Sequence, residues 1–267
     1  MKKLTHTFAV CAYQESPYLE ACVLSLMKQT KRTNIIIVTS TPNSHIQGVA
    51  VKYGIPLYVN NGEAGITQDW NFAYHKAKTD LVTIAHQDDI YLPCYAEKVI
   101  AGMEKKLHPL ILFTDYAELR EGKVTRENRL LKIKRLMLAP LSVSWLQDIR
   151  FVRRRILSLG CPICCPAVTF RKENLPDKVF SPGFRSAEDW EAWEKLSRIK
   201  GSFIYLPEIG MYHRIHKDSE TTAILQDHAR VKEDYEMFCK FWPRPIAKWL
   251  TRCYSNSEKS NQLSELK

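Results

Sequence analysis

The first 115 residues alternate short apolar runs with longer stretches in which apolar residues recur at helical spacing. The apolar runs predict strands at residues 8–12, 34–39, 56–59, 81–85 and 110–115. The helical spacing predicts helices at residues 15–28, 45–53 and 67–77. This alternation favours an α/β fold with a mostly parallel sheet and right-handed crossovers.

The pattern changes after residue 120. Residues 121–155 lose the strand rhythm and gain charge, which predicts helices or a mobile segment over the sheet. Beyond them we expect a strand at 167–170, a helix at 188–200, a strand at 203–206, a polar loop at 212–222 and a helical remainder. No repeat is visible. We therefore expect one compound domain at 1–222, with halves 1–115 and 116–222, and a helical basic extension at 223–267.

Length and composition narrow the class of protein. A chain of 267 residues that is 45% hydrophobic can bury a full core. No run of 18 apolar residues predicts a spanning helix, and the opening lacks the apolar segment of a signal peptide, so we expect a cytoplasmic protein. The eight cysteines are too dilute for a disulfide scaffold. Cys161 and Cys164 resemble half of a zinc site, but without a second pair nearby a turn of small residues is favoured.

The net charge of +10 is unevenly distributed. Residues 126–155 contain nine basic and two acidic residues, and residues 240–252 interleave four basic residues with aromatic and aliphatic ones. Such segments suit an anionic membrane surface, and we favour that partner over nucleic acid because no nucleic-acid-binding module is recognisable. For residues 240–252, a helix that packs its aromatic side chains on the core is an equally good interpretation.

The strongest chemical signal follows the predicted strand at 81–85, where His86, Gln87, Asp88 and Asp89 occur in a row. Two adjacent carboxylates are costly unless a cation or solvent relieves their repulsion. At the carboxyl end of an interior strand, a divalent metal that holds a phosphate commonly supplies that relief. An acidic turn is the alternative.

Two later stretches could complete such a site. Glu188 and Asp189 begin a predicted helix, where acids also stabilise the helix dipole, but Asp189 could be a general base with Glu188 helping to hold an acceptor. In the predicted loop at 212–222, His216 lies beside Arg214 and Lys217, which suits contact with a phosphate.

Together these motifs resemble the inverting family 2 glycosyltransferases with the GT-A fold. The resemblance covers roughly residues 5–222, through motifs at 11–15, 28–30, 61–71, 86–93, 187–190 and 212–219. It implies a GT-A-like, Rossmann-like central sheet that is mostly parallel and flanked by helices, followed by a helical C-terminal extension.

The resemblance also implies roles for individual residues. Asp88 would ligate Mg²⁺ or Mn²⁺ on a nucleotide-diphosphate sugar, His216 would touch the metal or the phosphates, and Asp189 would deprotonate the acceptor hydroxyl with Glu188 beside it. The other residues placed at the donor are Ala12, Tyr13, Glu15, Thr39, Asn71, Gln87 and Arg214. The implied reaction is a single displacement that inverts the anomeric carbon.

Acceptor specificity would lie in the segment at 123–165, and the positive charge of this segment fits a lipid-linked diphosphate or an acidic glycan as the acceptor. This suits bacterial cell-surface polysaccharide or glycolipid assembly at the inner face of the plasma membrane.

Two departures from the family pattern concern the donor. The second strand ends in Thr39 and Ser40, where the family usually has an Asp that helps to read the nucleotide. His86 replaces the usual first Asp of the metal motif. Both remove a carboxylate and leave the identity of the nucleotide open.

Two other functions fit parts of the sequence. Residues 85–89 also resemble the zinc motif of sugar N-deacetylases, in which His86 and Asp89 would bind zinc with a third ligand from His213 or His216. Against this, the motif follows a late strand and precedes Ile90 rather than Glu. A non-catalytic, glycosyltransferase-like binding protein is the second alternative.

Overall fold

The computed structural model describes residues 3–63, 65–216 and 229–264. Its strands are β1 (His6–Cys11), β2 (Asn34–Thr39), β3 (Leu57–Val59), β4 (Leu81–His86), β5 (Ile90–Tyr91), β6 (Pro109–Arg120), β7 (Lys123–Thr125), β8 (Val168–Arg171) and β9 (Ser202–Ile215). Its helices are α1 (Leu19–Met27), α2 (Ser44–Tyr53), α3 (Ile66–Lys76), α4 (Tyr95–Glu104), α5 (Arg129–Leu138), α6 (Arg150–Leu157), α7 (Glu188–Ser197), α8 (Ala229–Cys239) and α9 (Arg244–Ser264), with short 3-10 turns between some of them.

The strands form one sheet in the order β3-β2-β1-β4-β8-β6-β9-β5, with β7 paired to β6 as a hairpin. Strands β1 to β4 are parallel, β8 runs antiparallel between β4 and β6, and β9 pairs parallel with β6. The predicted α/β fold with a mostly parallel sheet is therefore confirmed. The carboxyl ends of β2, β1 and β4 lie side by side, since Cys11 pairs with both Val38 and His86.

Apolar side chains cover both faces of the sheet. Alternation along β1 sends Phe8 and Val10 into the cluster under α1, α2 and α4, whereas Ala9 joins the cluster under α3 and α7. Trp190 and Trp193 of α7 are almost fully buried in that second cluster. Two-sided burial is what the continuous apolar runs in the sequence predict.

A buried polar thread crosses the middle of the sheet. The His6 Nε2 atom lies 2.8 Å from the Thr83 hydroxyl, which lies 2.6 Å from the Thr169 hydroxyl. The Tyr95 hydroxyl lies 3.2 Å from Thr169 and donates to the Ala167 carbonyl oxygen at 2.9 Å. The thread thus joins β1, β4, β8 and α4 inside the core.

The two C-terminal helices pack on the rest of the molecule. Met237, Phe238 and Ala247 are fully buried, and the Trp242 indole donates to the Ser158 carbonyl oxygen at 2.7 Å. Packing on the core therefore accounts for part of the aromatic content of residues 240–252, although Trp249 is 62% exposed. The expected domain boundary at 222/223 lies outside the described residues and stays a prediction.

The structure corrects several predicted elements. The loop expected at 212–222 is wrong for Tyr212–Ile215, because these residues continue β9 alongside β6, while 217–222 lie outside the described residues. The strand expected at 110–115 extends to Arg120, and the sequence pattern did not identify helix α4. Residues 121–155 form β7, α5, α6 and 3-10 turns.

All eight cysteines are free. Among the residues that the structure describes, no helix combines the length and apolarity that crossing a bilayer requires.

Candidate active site

The acidic motif lies where β4 ends and β5 begins, and its two carboxylates point to different partners. Asp89 is fully buried, and its Oδ1 accepts hydrogen bonds from the backbone N–H of Arg214 at 2.9 Å and from His213 Nδ1 at 3.0 Å. Asp88 lies at the cavity, with its Oδ2 3.1 Å from His216 Nε2. The pairing of β5 with β9 thus brings the late His-Arg-Ile-His segment onto the acidic motif.

The ionisation of His213 follows from its contact with Asp89. Burial lowers the pKa of His213, but the charge of Asp89 and the hydrogen bond to it outweigh burial and leave that pKa above its ordinary value. Arg214 adds a second link, because its Nε donates to the Asp88 carbonyl oxygen at 2.8 Å while its guanidinium lies over the Tyr18 ring. Arg214 therefore helps to hold the backbone of the acidic motif in place.

His86 stands at the end of β4 and stacks on Trp70, with ring centroids 5.3 Å apart. Burial lowers its pKa against the opposing charges of Asp89 and Asp88, so the ring is neutral at neutral pH. Within the described part of the chain, its Nε2 is buried and has no hydrogen-bond partner.

A divalent cation fits this group of side chains. Candidate ligand atoms of His86, Asp88 and Asp89 lie within 4.8 Å of one another. Asp89 Oδ2, like His86 Nε2, is buried and lacks a partner among the residues described. Imidazole nitrogen and carboxylate oxygen are suitable ligands for divalent metals. Asp88 was expected as a ligand; His86 joins it in the structure, and His216 lies against it.

The loop after β1 forms one wall of the site. Gln87 holds Tyr13 from both sides, because its Oε1 accepts from the Tyr13 N–H and its Nε2 donates to the Tyr13 carbonyl oxygen, each at 3.0 Å. Gln14 adopts a φ of 52° and its N–H donates to the Thr41 hydroxyl at 2.7 Å. Glu15, which follows, is exposed.

The second acidic pair begins α7. Both residues line the cavity, and Glu188 is the more buried of the two. Asp189 Oδ1 accepts from the Trp190 N–H at 2.6 Å, and its Oδ2 lies 3.6 Å from the Cys161 thiol. Burial raises the pKa of Asp189, partly opposed by the Trp190 hydrogen bond and the charge of Lys134. A carboxylate with a raised pKa is a stronger base than an ordinary one.

A single cavity of about 660 Å³ connects the two acidic pairs. The predicted site residues that line it are Ala12, Tyr13, Gln87, Asp88, Glu188, Asp189 and His216.

Four residues that the resemblance placed at the donor lie outside the cavity lining: Glu15, Thr39, Asn71 and Arg214, whose contacts with Asp88 and Tyr18 are described above. Glu15 is exposed, Thr39 is buried with its hydroxyl accepting from the Thr41 N–H at 3.0 Å, and Asn71 exchanges hydrogen bonds with the backbone of Phe180. Their expected contact with the nucleotide stays a prediction, but the structure gives Thr39 and Asn71 local structural contacts instead.

The sequence profile of the family described as "Glycosyl transferase family 2" matches residues 7–180, more than half of the chain. The chain belongs to glycosyl transferase family 2. Its acidic motifs at 86–89 and 187–190 therefore occur in a glycosyltransferase, and the N-deacetylase interpretation loses its basis. A comparison with curated proteins gave no match.

Solved glycosyltransferase structures share the fold. Staphylococcus aureus TarS with UDP-GlcNAc superposes with a TM-score of 0.64 and is 15% identical, over 93% of this chain and 70% of TarS. Mannosyltransferase PcManGT of Pyrobaculum calidifontis, with GDP-Man and Mn²⁺, has a TM-score of 0.58 and 14% identity, over 95% of this chain and 70% of that one. Glucosyl-3-phosphoglycerate synthase of Mycobacterium tuberculosis, with Mn²⁺, UDP and phosphoglyceric acid, has a TM-score of 0.59 and 14% identity, over 90% of this chain and 80% of the synthase. This confirms the GT-A fold.

Sequence reasoning missed a carboxylate in this family 2 site. Asp69 of α3 lines the cavity, and its two oxygens accept from the Ser40 hydroxyl at 2.6 Å and from Asn60 Nδ2 at 2.8 Å. It therefore supplies an acid beside the end of β2, near the place where the family's usual Asp is absent. The available signal was an Asp on the buried face of a predicted helix.

Proposed function

We propose that the chain transfers a sugar from a nucleotide-diphosphate donor to an acceptor hydroxyl, with inversion at the anomeric carbon. The observation that carries this proposal is that Asp88 and Asp189, from two separate acidic motifs, line one cavity. One carboxylate lies beside His216 and the other at the start of α7, so leaving-group and acceptor functions have separate positions.

The donor would lie along the carboxyl ends of β2, β1 and β4. Ala12, Tyr13, Ser40, Asp69 and Gln87 line this part of the cavity and offer hydrogen-bonding groups to a nucleoside. His86, Asp88 and Asp89, with His216 beside them, would hold Mg²⁺ or Mn²⁺ on the diphosphate. A bound cation would neutralise the charge that develops on the leaving diphosphate.

The acceptor would approach from α7. Asp189 takes the proton from its hydroxyl, the new bond forms between that oxygen and the anomeric carbon, and the bond to the diphosphate oxygen breaks on the opposite face. One base suffices and no covalent intermediate forms, so inversion follows. Glu188 lines the same region and helps to hold the acceptor.

The solved neighbours support the choice of donor and metal. The TarS structure contains UDP-GlcNAc, and the mannosyltransferase and synthase structures contain GDP-Man or UDP together with Mn²⁺. At 14–15% identity they support a donor class, not a particular sugar.

A thermal-shift screen of nucleoside diphosphates with Mn²⁺ tests donor binding, since a ligand at 100 times its Kd stabilises the native state by about 2.7 kcal/mol. Sugar transfer and donor hydrolysis are then measured for Asp88→Asn and Asp189→Asn, with the exposed Asp177→Asn as the matched control. Asp88→Asn should weaken nucleotide binding in Mn²⁺, whereas Asp189→Asn should bind nucleotide normally and lose transfer.

The same experiment separates the alternatives. Normal turnover of both variants, or an unmodified protein that binds no nucleotide, would contradict the proposal, and nucleotide binding without turnover would favour a binding protein. Elemental analysis that finds tightly held zinc would favour hydrolytic chemistry.

We also propose that the enzyme works at the cytoplasmic face of an anionic membrane, in assembly of a cell-surface polysaccharide or glycolipid. Leu136, Trp145 and Phe151 are 76%, 65% and 69% exposed, in the segment with nine basic residues. Exposed aromatic side chains among basic ones suit an anionic lipid surface.

Vesicle sedimentation tests this association. Deleting residues 240–267 is unsuitable because Ala247 is part of the core, so point substitutions are used instead. Trp145→Ser with Phe151→Ser should reduce binding to phosphatidylglycerol vesicles, whereas Leu107→Ser, at an exposed site outside the segment, should not. Equal binding to phosphatidylcholine vesicles, or no effect of the double substitution, would contradict the proposal.

A further inference from the structure

An ammonium group that forms no ion pair with any described residue reaches the cavity. Lys134 of α5 lines the cavity, and its Nζ donates to the Tyr116 hydroxyl at 3.0 Å. Within the part of the chain that the structure describes, no carboxylate oxygen lies within 4.0 Å of this nitrogen. By contrast, Arg135 Nε lies 2.7 Å from Asp115 and Lys132 Nζ lies 3.4 Å from Glu127.

The hydrogen bond of Lys134 is made to an uncharged hydroxyl group. Two neighbours of Lys134, Tyr116 and Cys164, are uncharged at neutral pH, because burial raises the pKa of each above its ordinary value. Removing an ammonium from water is costly unless a negative charge accompanies it. An anionic ligand that enters the cavity could therefore form the close ion pair that Lys134 lacks among the described residues.

The position of Lys134 favours the acceptor as the source of that anion. Its helix belongs to the segment between β7 and β8, and it lines the cavity together with Cys161, Cys164 and Asp189. The charge of Lys134 also lowers the pKa of Asp189, which places the ammonium within electrostatic reach of the proposed base.

We propose that Lys134, positioned by Tyr116, binds an anionic group of the acceptor, a phosphate or a carboxylate, so that the enzyme takes acidic acceptors. This rests on the proposed transfer at Asp189. The acceptor would place its hydroxyl at Asp189 and its anionic group at Lys134. A neutral acceptor would leave the partly buried ammonium without an ionic partner, and such a difference discriminates between substrates.

Calorimetry with small probes tests the proposal. Glycerol 3-phosphate and glycerate serve as anionic probes and glycerol as the neutral one, each with saturating UDP or GDP and Mn²⁺ so that the donor's diphosphate positions are filled. Lys134→Met should weaken binding of the preferred anionic probe about tenfold or more. Lys132→Met, on the same helix but exposed, should leave it within about twofold. Comparison of the two anionic probes shows whether phosphate or carboxylate is preferred.

Three results would overturn the proposal. In the first, the unmodified protein binds neither anionic probe at about 10 mM. In the second, the unmodified protein and Lys134→Met bind the anionic probes equally well. In the third, Lys134→Met loses affinity for the nucleotide but not for the anionic probes, which would assign Lys134 to the donor. Failure of the proposed function is distinct, since the unmodified protein would then bind no nucleotide. The probes, repeated without nucleotide, would still report on Lys134.

Discussion

At the scale of single residues, the surroundings of Asp189 suit the proton transfer that we propose for it. Asp189 is partly buried at the start of α7 and lines the cavity. Cys161 and Lys134 line the same cavity, and the Cys161 thiol is in contact with the Asp189 carboxylate. Burial raises the pKa of Asp189, while the Trp190 N–H, the charge of Lys134 and the Cys161 thiol limit the rise. Asp189 is therefore a stronger base than an ordinary Asp carboxylate.

The pH dependence of transfer should reflect this balance. Because burial raises the pKa of Asp189, kcat/KM should fall with decreasing pH at a value above the ordinary Asp pKa of about 4. Lys134→Met removes an opposing positive charge and should move this acid limb to still higher pH, whereas Lys132→Met should not. Rates measured between pH 4 and 8 with saturating metal check this. An acid limb near pH 4 in all three proteins would contradict it.

Individual site residues could be predicted from the sequence where an acidic residue lies next to the end of a predicted strand or the start of a predicted helix. Asp88 follows an apolar strand and Asp189 begins a helix, and both line the cavity. Lys134 and Asp69 were not predictable, because each reaches the cavity through contacts between elements distant in sequence. Transfer of roles by motif position placed Thr39 and Asn71 at the donor, but the structure gives them other hydrogen bonds.

At the scale of elements, the length of β9 decides how the site is assembled. Tyr212, His213 and Arg214 have polar side chains that suit a loop, and hydropathy alone cannot distinguish a loop from a polar strand end. The neighbouring strand determines that these residues form a strand, because β6 extends to Arg120 and pairs with β9 as far as Ile215. Only this pairing places His213 on Asp89.

A second element-scale contact holds the start of α7. Glu233 of α8 is buried, and its carboxylate accepts from the N–H groups of Arg185 and Ser186 at 2.8 Å and from the Ser186 hydroxyl at 2.6 Å. These residues immediately precede Glu188 and Asp189. We therefore expect Glu233 to position the start of α7 and with it the proposed base, although Glu233 lies beyond the range 7–180 that matches the family.

Substitution of Glu233 should impair turnover more than donor binding. Glu233→Ala leaves buried donors unpaired, at a cost of about 1–3 kcal/mol, and should lower kcat while the KM for the donor changes little. Glu233→Gln keeps one acceptor oxygen and should restore part of kcat. Glu236→Gln, partly exposed on the same helix, is the control. Equal losses in kcat and in nucleotide affinity would indicate general destabilisation instead.

At the scale of the whole molecule, the alternating pattern predicted the parallel half of the sheet well. It could not predict that β8 inserts antiparallel between β4 and β6, since pairing order depends on contacts between strands far apart in sequence. The C-terminal helices were expected as an extension, yet Arg230, Asp234 and Tyr254 line the same cavity as Asp88. The described part of that segment thus belongs to the site.

The stability of the whole fold should depend on His6. Burial lowers the pKa of His6 to about 3, from an ordinary value of 6.5. The folded-state pKa is depressed, so the stabilisation is complete above pH 6.5 and is lost as the pH falls toward 3. Chemical denaturation between pH 7 and 4 should show a smaller pH dependence for His6→Gln than for the unmodified protein. The exposed His108→Gln is the control, and it should retain the full pH dependence.

The polar thread through His6, Thr83, Thr169 and Tyr95 has a consequence for how the chain finds its strand alignment. Thr83 pairs directly with Thr169 across β4 and β8, while His6 approaches Thr83 diagonally from β1. A slip of one residue in either pair would turn a hydroxyl to the opposite face and bury it among apolar side chains. In purely apolar strands such as Ile35–Val38, a misaligned pairing costs little free energy. The few hydroxyl groups of the polar thread therefore help to specify the native strand register. Replacing them with valine could leave the native state stable while removing the penalty that excludes its misaligned competitors.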